Sequence, residues 1–373
     1  MNKSLVLALF VLLALTGCKH SSQQSKSWAL GPFKRPVNVG AVISPDTNSV
    51  FFCPMRGEAV EWEGSDTFNP AAAVINNRVV LLYRAEDNSA VGIGQRTSRI
   101  GYASSADGLF FQRHGAPVLF PSATDEQAAN ECPGGCEDPR VVMTDDGLYV
   151  MMYTQWNRKQ ARLAVATSRD LVTWQKHGPA FAKAYGGRFK DDFSKSASVV
   201  TRLQGDRQVV ARIGDKYWMY WGEQFVNVAT SDNLIDWTPL LDEQGELLRV
   251  MEPRKGHFDS QLTECGPPAV LTSQGIVLIY NGKNLEGADG DPRYVANTYC
   301  AGQALFSGED PTRLLDRLDE PFFVPEADYE RSGQYPAGTV FAEGLVYHNK
   351  RWLLYYGCAD SRVGVAVCNT NHK

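Results

Sequence analysis

Apolar residues along this chain fall in short runs, each broken by a cluster of Gly, Asn, Asp or Ser. Five runs share one form: Arg78–Arg84, Gly147–Trp156, Lys216–Glu223, Gly275–Lys283 and Arg351–Asp360. Each is rich in aliphatic and aromatic residues, passes through a Tyr and then turns polar. A second run of Ala, Val and Gly follows each: Arg99–Ser105, Ala161–Ser168, Val226–Ser231, Tyr299–Ser307 and Val363–Cys368. The composition and length suit strands, and no helical period competes. The matching tyrosines are Tyr83, Tyr153, Tyr220, Tyr280 and Tyr355. Asn76-Asn77, Asp145-Asp146-Gly147, Gly214-Asp215 and Ser273-Gln274-Gly275 supply hairpin turns before the aromatic runs. A Ser/Asp/Gly loop then leads to a fourth, aromatic strand at Phe110-Phe111, Leu171–Trp174, Ile235–Trp237 and Phe322-Phe323. Four strands per unit, repeated five times, predict an all-β, five-bladed β-propeller. The last unit runs out at Cys368 without its fourth strand, which Val39–Cys53 is expected to supply. A two-sheet sandwich is the competing architecture, and the matched Tyr-ended strands speak against it.

The start of the chain follows another rule. Lys3 is followed by an apolar run from Leu5 to Leu15 and then Thr16-Gly17-Cys18. The run is too short to span a bilayer, but a basic start and small residues before a cut site make a secretory signal. A Cys after Leu15-Thr16-Gly17 resembles the bacterial lipoprotein box, which implies cleavage after residue 17 and acylation of Cys18. Residues 1–17 therefore read as signal peptide, 18–38 as lipidated Cys and tether, and 39–373 as the propeller body. The expected location is the cell envelope, with the membrane engaged through the anchor on Cys18.

Composition narrows the function. A hydrophobic content of 43% and a charged content of 21% describe a globular chain. The net charge of -5, with no basic stripe, excludes nucleic acid as the main partner. Beyond Cys18 seven cysteines remain, an odd number. Cys132 and Cys136, separated by Pro133-Gly134-Gly135, form the expected disulfide in an oxidising envelope. No His/Cys cluster has metal spacing, and no cofactor is implied. Gly-x-Ser-x-Gly, His-Glu-x-x-His and phosphate-cradling Gly loops are absent from the sequence.

In each unit the first two strands form a hairpin, so the first strand's start and the second strand's end share one face. That face should gather Asn69, Asp138, Lys195, Glu264 and Thr339 with Arg84, Gln155, Glu223, Lys283 and Asp360. A concave ring of carboxylates and bases with aromatic walls suits a sugar or another polyol.

Phe68-Asn69-Pro70, Leu82-Tyr83-Arg84, Ile100-Gly101-Tyr102-Ala103 with Asp107-Gly108, and Cys136-Glu137-Asp138-Pro139-Arg140 are similar to motifs of glycoside hydrolase family 130. Ala166-Thr167-Ser168-Arg169-Asp170-Leu171 and Tyr356-Gly357-Cys358-Ala359-Asp360 extend the similarity over roughly residues 60–368. The resemblance implies a five-bladed propeller acting on β-mannosides with inversion, as a phosphorylase or a hydrolase. It implies that Asp138 is the general acid, delivering its proton through a mannose hydroxyl. It also implies that Asn69, Arg84 and Asp360 line the sugar pocket. Lys195, Asp259, Arg99 and Tyr335 are further candidates, the last for stacking on a sugar face.

Phosphate or water as nucleophile depends on charge. A phosphorylase must aim several cations at one dianion. This chain instead carries Glu223 and Glu264 at the corresponding positions. Carboxylates repel phosphate but can deprotonate water, as inverting hydrolysis requires. The pair resembles the glutamates of the hydrolytic branch, which cleaves β-1,2-mannosidic links. The expected activity is an inverting β-mannosidase on manno-oligosaccharides. A β-mannoside phosphorylase and a non-catalytic glycan-binding lipoprotein remain the alternatives.

Overall fold

The computed structural model describes residues 26–369. The signal segment, Cys18 and residues 19–25 lie outside the described residues. The described chain is all-β. Its helical content is one four-residue turn, Ala128–Glu131, and two 3-10 turns, Ala184–Gly187 and Asp328–Glu330.

Consecutive strands pair antiparallel in groups. The first group comprises Asp66–Ile75, Arg78–Glu86, Ser98–Ser105 and Gln112–Arg113. The second comprises Gly135–Met143, Tyr149–Trp156, Ala161–Ser168 and Gln175–Pro179. In the third, Ala197–Gln204 pairs with Lys216–Trp221, followed by Val226–Ser231 and Trp237–Pro239. The fourth begins with the broken strand Leu262–Cys265 and Ala269–Thr272, then Gly275–Lys283, Tyr299–Phe306 and Leu314–Arg317. The fifth comprises Val340–His348, Arg351–Cys358 and Arg362–Asn369. Short parallel pairings, Ser98 with Gly135 and Val200–Arg202 with Ala269–Leu271, join neighbouring groups.

Val39–Cys53 supplies only part of the expected fourth strand of the last group, and an earlier segment supplies the rest. Lys34 bridges to Val367 and Ile43 to Val363, while Val50–Cys53 forms its own hairpin with Glu58–Glu61. Trp28 and Phe33 are buried, so the packed body begins ahead of residue 39. The segment reaches the body because its apolar side chains have core to enter and Arg35 has a buried carboxylate, Glu330, to meet at 2.7 Å.

The outer strands Gln112–Arg113, Gln175–Pro179 and Leu314–Arg317 are the least buried of their groups. The second strands, such as Arg78–Glu86 and Arg351–Cys358, are buried along nearly their whole length. This explains their unbroken Val/Leu/Tyr runs, since a strand covered on both faces has no polar side to show. Each fully buried Leu, such as Leu81 or Leu353, contributes roughly 1.5–3 kcal/mol.

The tyrosines have a specific task. Tyr83 donates to Glu63 at 2.7 Å, Tyr153 to Glu131 at 2.8 Å, Tyr280 to Asp259 at 2.7 Å and Tyr356 to Glu330 at 2.8 Å. Each acid precedes the first strand of its group and meets a cation from the group's outer edge: Arg113, Lys176, Arg317 and Arg35. The fifth counterpart is therefore Tyr356, not Tyr355, whose hydroxyl donates to the Gly108 carbonyl. The third group departs from the pattern, with Tyr220 donating to the Pro311 carbonyl. Opposite these rings the neighbouring strand carries Gly101, Ala164, Gly302 and Gly364. A Cβ on Gly101 would lie 2.4 Å from the Tyr83 ring, and one on Gly364 would lie 2.5 Å from Tyr356.

Cys132 and Cys136 do not form the expected disulfide, and both are free thiols. Cys136 belongs to the strand Gly135–Met143 and points into the core beside Tyr153, while Cys132 ends the short helix. The strand's alternation thus directs the Cys136 thiol inward.

Substituting Gly101 or Gly364 with Ala should destabilise the fold by about 1–3 kcal/mol, because the ring cannot retreat from an acid it must bond. Urea unfolding measures this, and a variant as stable as wild type would remove the packing role assigned to these glycines.

Candidate active site

Seven polar side chains converge where the first strands of the groups approach one another. Asp138 is the centre. Its Oδ1 accepts from Asn69 Nδ2 at 2.9 Å and from Arg84 Nη1 at 3.1 Å. Its Oδ2 lies 3.8 Å from Lys195 Nζ. Lys195 Nζ also lies 3.6 Å from Glu223 Oε1 and 3.5 Å from Glu264 Oε1. Ser196 donates a short hydrogen bond to Glu264. One ammonium thus joins all three expected catalytic carboxylates.

Local backbone geometry aims these groups. The ladder slips at Phe68/Pro70 and at Glu137/Arg140, so Asn69 and Asp138 stand on bulges. Both have positive φ, 45° and 48°. A non-glycine residue holds that conformation only where its surroundings compensate. Here Arg140 donates to the Asp138 carbonyl at 3.0 Å and to the carbonyls of Cys265 and Gly266. Pro139 removes a ladder donor at the slip.

The remaining expected residues divide. Arg84 is in the site and carries three acids, Asp138, Glu86 and Glu137. Asp360 is near enough to feel Arg84 and Asp138. Tyr335 stacks edge-on with Tyr299 at 5.5 Å, and Lys283 Nζ sits over both rings. Two expectations are corrected. Arg99 lies on the opposite face of its strand from Ser98, which bonds Arg84. It pairs instead with Asp87 at 2.9 Å, as strand alternation dictates. Asp259 is fully buried under Arg254, Arg317 and Tyr280, so it secures the fourth group rather than touching the site. Gln155, expected on the same face, is buried against Glu131 and Tyr153.

Sequence reasoning passed over Glu86, Glu137, Arg140, Tyr299 and Glu343. Glu137 and Arg140 stand within the motif around Asp138, but no spacing rule separates a site residue from a neighbour there. Glu343 carries no motif, and only a register slip in its strand brings it inward.

Acids outnumber cations in this enclosed volume, and the electrostatics show it. Burial raises Glu137 to about 7, despite Arg84. Burial likewise raises Asp360 to about 7. Burial also raises Glu264, with Glu223 adding repulsion and Lys195 opposing. For Asp138, burial is outweighed by Arg84, Lys195 and Arg140, which hold it below the usual carboxylate range. Burial would lower Lys195, but Glu264, Glu223 and Asp138 hold it well above its ordinary value. A cavity of about 330 Å³ lies elsewhere, among the turn ends Asn76, Asn77, Met143 and Arg207. It touches none of these groups.

Comparisons with known proteins bear on this geometry. A family model described as Glyco_hydro_130, beta-1,4-mannooligosaccharide phosphorylase, matches residues 52–372. A 1,2-beta-oligomannan phosphorylase of Thermoanaerobacter sp. (strain X514) is 32% identical over 311 residues, 82% of this chain and 91% of that protein. A glycosyl hydrolase structure from Bacteroides ovatus is 58% identical, covering 93% of this chain and 96% of that one, with a TM-score of 0.91. A further structure is 57% identical with a TM-score of 0.92, covering 93% of this chain and 96% of that one. It accompanies the statement that the family of mannoside phosphorylases contains glycoside hydrolases that target β-1,2 mannosidic linkages in Candida mannan.

Glu137 and Asp360 bind protons more tightly folded than unfolded, so their contribution to stability is full below about pH 4 and is lost as pH rises through 7. The melting temperature should therefore fall between pH 5 and pH 8, and Asp360→Asn should shrink that fall. An undiminished fall in the variant would exclude Asp360 as a source.

Proposed function

Because the chain belongs to glycoside hydrolase family 130, whose members act on mannosides, we propose that it is an inverting β-mannosidase acting on β-1,2-linked manno-oligosaccharides. The observation that carries this reading is the pairing of Glu223 and Glu264 on Lys195, at 3.6 and 3.5 Å. A phosphate dianion at that position would meet two carboxylates and an ammonium already engaged. A water there would meet a base. The structure at 58% identity described as a glycosyl hydrolase supports the same reading, as does the statement, accompanying the one at 57%, that the family contains hydrolases of β-1,2 mannosidic linkages.

We read the strand groups as the five blades of a propeller. Asn69 bonds Asp138, Asp138 neighbours Lys195, Ser196 bonds Glu264, Asn281 bonds Ala342, and a Cβ on Gly344 would meet the Pro70 carbonyl at 2.8 Å. Contacts thus run from the first group to the fifth and back to the first.

In the proposed reaction a mannose hydroxyl takes the place beside Asp138 that Lys195 only approaches. Displacing that cation weakens the charge holding Asp138 ionised. Glu137 and Asp360, which hold protons near neutral pH, then supply the proton that Asp138 passes through the hydroxyl to the leaving oxygen. Glu223, with 35% of its side chain exposed, takes a proton from the attacking water. Glu264, buried and bonded by Ser196, orients that water. Tyr299 and Tyr335 offer faces for a sugar ring. Each of the three carboxylates lies within 3.8 Å of one ammonium, which keeps acid and base in one pocket.

A phosphorylase is the second reading, favoured by the name of the relative at 32% identity. Incubation with β-1,2-mannobiose with and without phosphate separates the two. Mannose release indifferent to phosphate is expected, and mannose 1-phosphate formed only with phosphate would refute hydrolysis. Asp138→Asn should lower kcat by at least about 10²-fold, and near-normal turnover in the folded variant would end its assignment. Glu223→Gln should lose hydrolysis and recover a product with azide, whereas Glu264→Gln should not recover. We further propose an envelope enzyme anchored through Cys18. Fatty-acid labelling in cells should be lost in Cys18→Ala, and unchanged labelling would place the lipid elsewhere.

A further inference from the structure

One carboxyl group in the site has no place in this scheme. Glu343 stands where the register between Val340–His348 and Arg351–Cys358 slips, between Ala342 and Gly344. Asn69 and Asp138 occupy the corresponding slips of the first two groups. Glu343 is wholly buried, and neither carboxyl oxygen has a hydrogen-bond partner. Its neighbour is Arg140, whose Nη1 lies 3.4 Å from Oε1. The same Nη1 donates to the Asp138 carbonyl at 3.0 Å.

The charged groups facing Glu343 come from three other elements. They are Arg140 and Asp138 on Gly135–Met143, Glu264 on Leu262–Cys265, and Lys195 just ahead of Ala197–Gln204. Burial and the two acids oppose its ionisation and raise it well above the carboxylate range, against Arg140 and Lys195. A neutral Glu343 makes little demand on Arg140. An ionised one competes for it with the Asp138 carbonyl, and a charge-assisted bond is roughly twice as strong as a neutral one. Asp138 depends on that bond to keep its positive φ.

We propose that Glu343 acts on the site only when it loses its proton. Neutral, it leaves Arg140 to hold the Asp138 backbone; ionised, it draws Arg140 away and misplaces the general acid. Its proton passes to solvent base, and no other bond changes. The proposal rests on the reading of Asp138 as the acid.

The test is kcat/KM against pH for the full chain, Glu343→Gln and Glu343→Met, with β-1,2-mannobiose, with and without phosphate. Neither variant can ionise. Both should stay within about threefold of wild type at pH 6, with the alkaline limb moved up by about one unit or more. A residue serving structure alone would lower activity at every pH. An unmoved limb in the folded variants, or a uniform loss, overturns the proposal. If turnover appears only with phosphate, hydrolysis fails, and the same comparison of limbs in phosphorolysis still decides the role of Glu343. Should both variants fail to fold, the wild-type melting temperature decides. It should fall further above pH 7 than titration of Glu137 and Asp360 accounts for in Asp360→Asn and Glu137→Gln, and no such residual fall overturns the proposal.

Discussion

Carboxyl groups crowded beyond what nearby cations can neutralise are the constraint from which the chemistry of this site follows. Arg84, Arg140 and Lys195 face Glu86, Glu137, Asp138, Glu223, Glu264, Glu343 and Asp360. Water would screen such an excess, but most of these groups are buried. Some of the acids must therefore stay protonated. Which ones do is decided by reach. Asp138 has Arg84, Lys195 and Arg140 around it and accepts from Asn69, so it ionises, while Glu137, which shares Arg84 with Asp138 and Glu86, holds a proton, as do Asp360 and Glu343. The site thus stores protons beside the residue that must deliver one.

That crowding needs a rigid frame, because acids free to move would separate. The frame is the Tyr–carboxylate–cation set repeated in four groups. Each set fastens the approach to a first strand to the second and outer strands of its own group. The positive-φ bulges then project Asn69 and Asp138 inward from strands that cannot shift. Fold and site are linked at this point, since the same strands that carry the acids are held by residues far from any substrate.

Much of this was legible in the chain. The Tyr-ended runs located the second strands, and the hairpin rule placed Asn69, Asp138, Lys195, Glu264, Arg84, Glu223 and Asp360 on one face. The rule fails where alternation is assumed without register. Arg99 is one position off the inward-facing Ser98, and Asp259 looks like a pocket acid in sequence but is the partner of Tyr280. Tyr356 replaced Tyr355 because adjacent strand residues face opposite ways, which takes the Tyr356 hydroxyl to Glu330 and the Tyr355 hydroxyl to the Gly108 carbonyl. Glu343 itself gives no local signal, since a register slip is a property of two paired strands. The Cys132–Cys136 spacing allowed a bridge, but the side chain of Cys136 follows its strand into the core.

The pairing of Lys34 and Ile43 with Val367 and Val363 bears on how the molecule is made. Its last sheet is finished by residues from opposite ends of the described chain, so no partial translation product can complete it. The contacts that close the molecule span more than three hundred residues and carry a large loop-closure penalty. A nascent chain emerging from the ribosome therefore lacks the seam that would lock it.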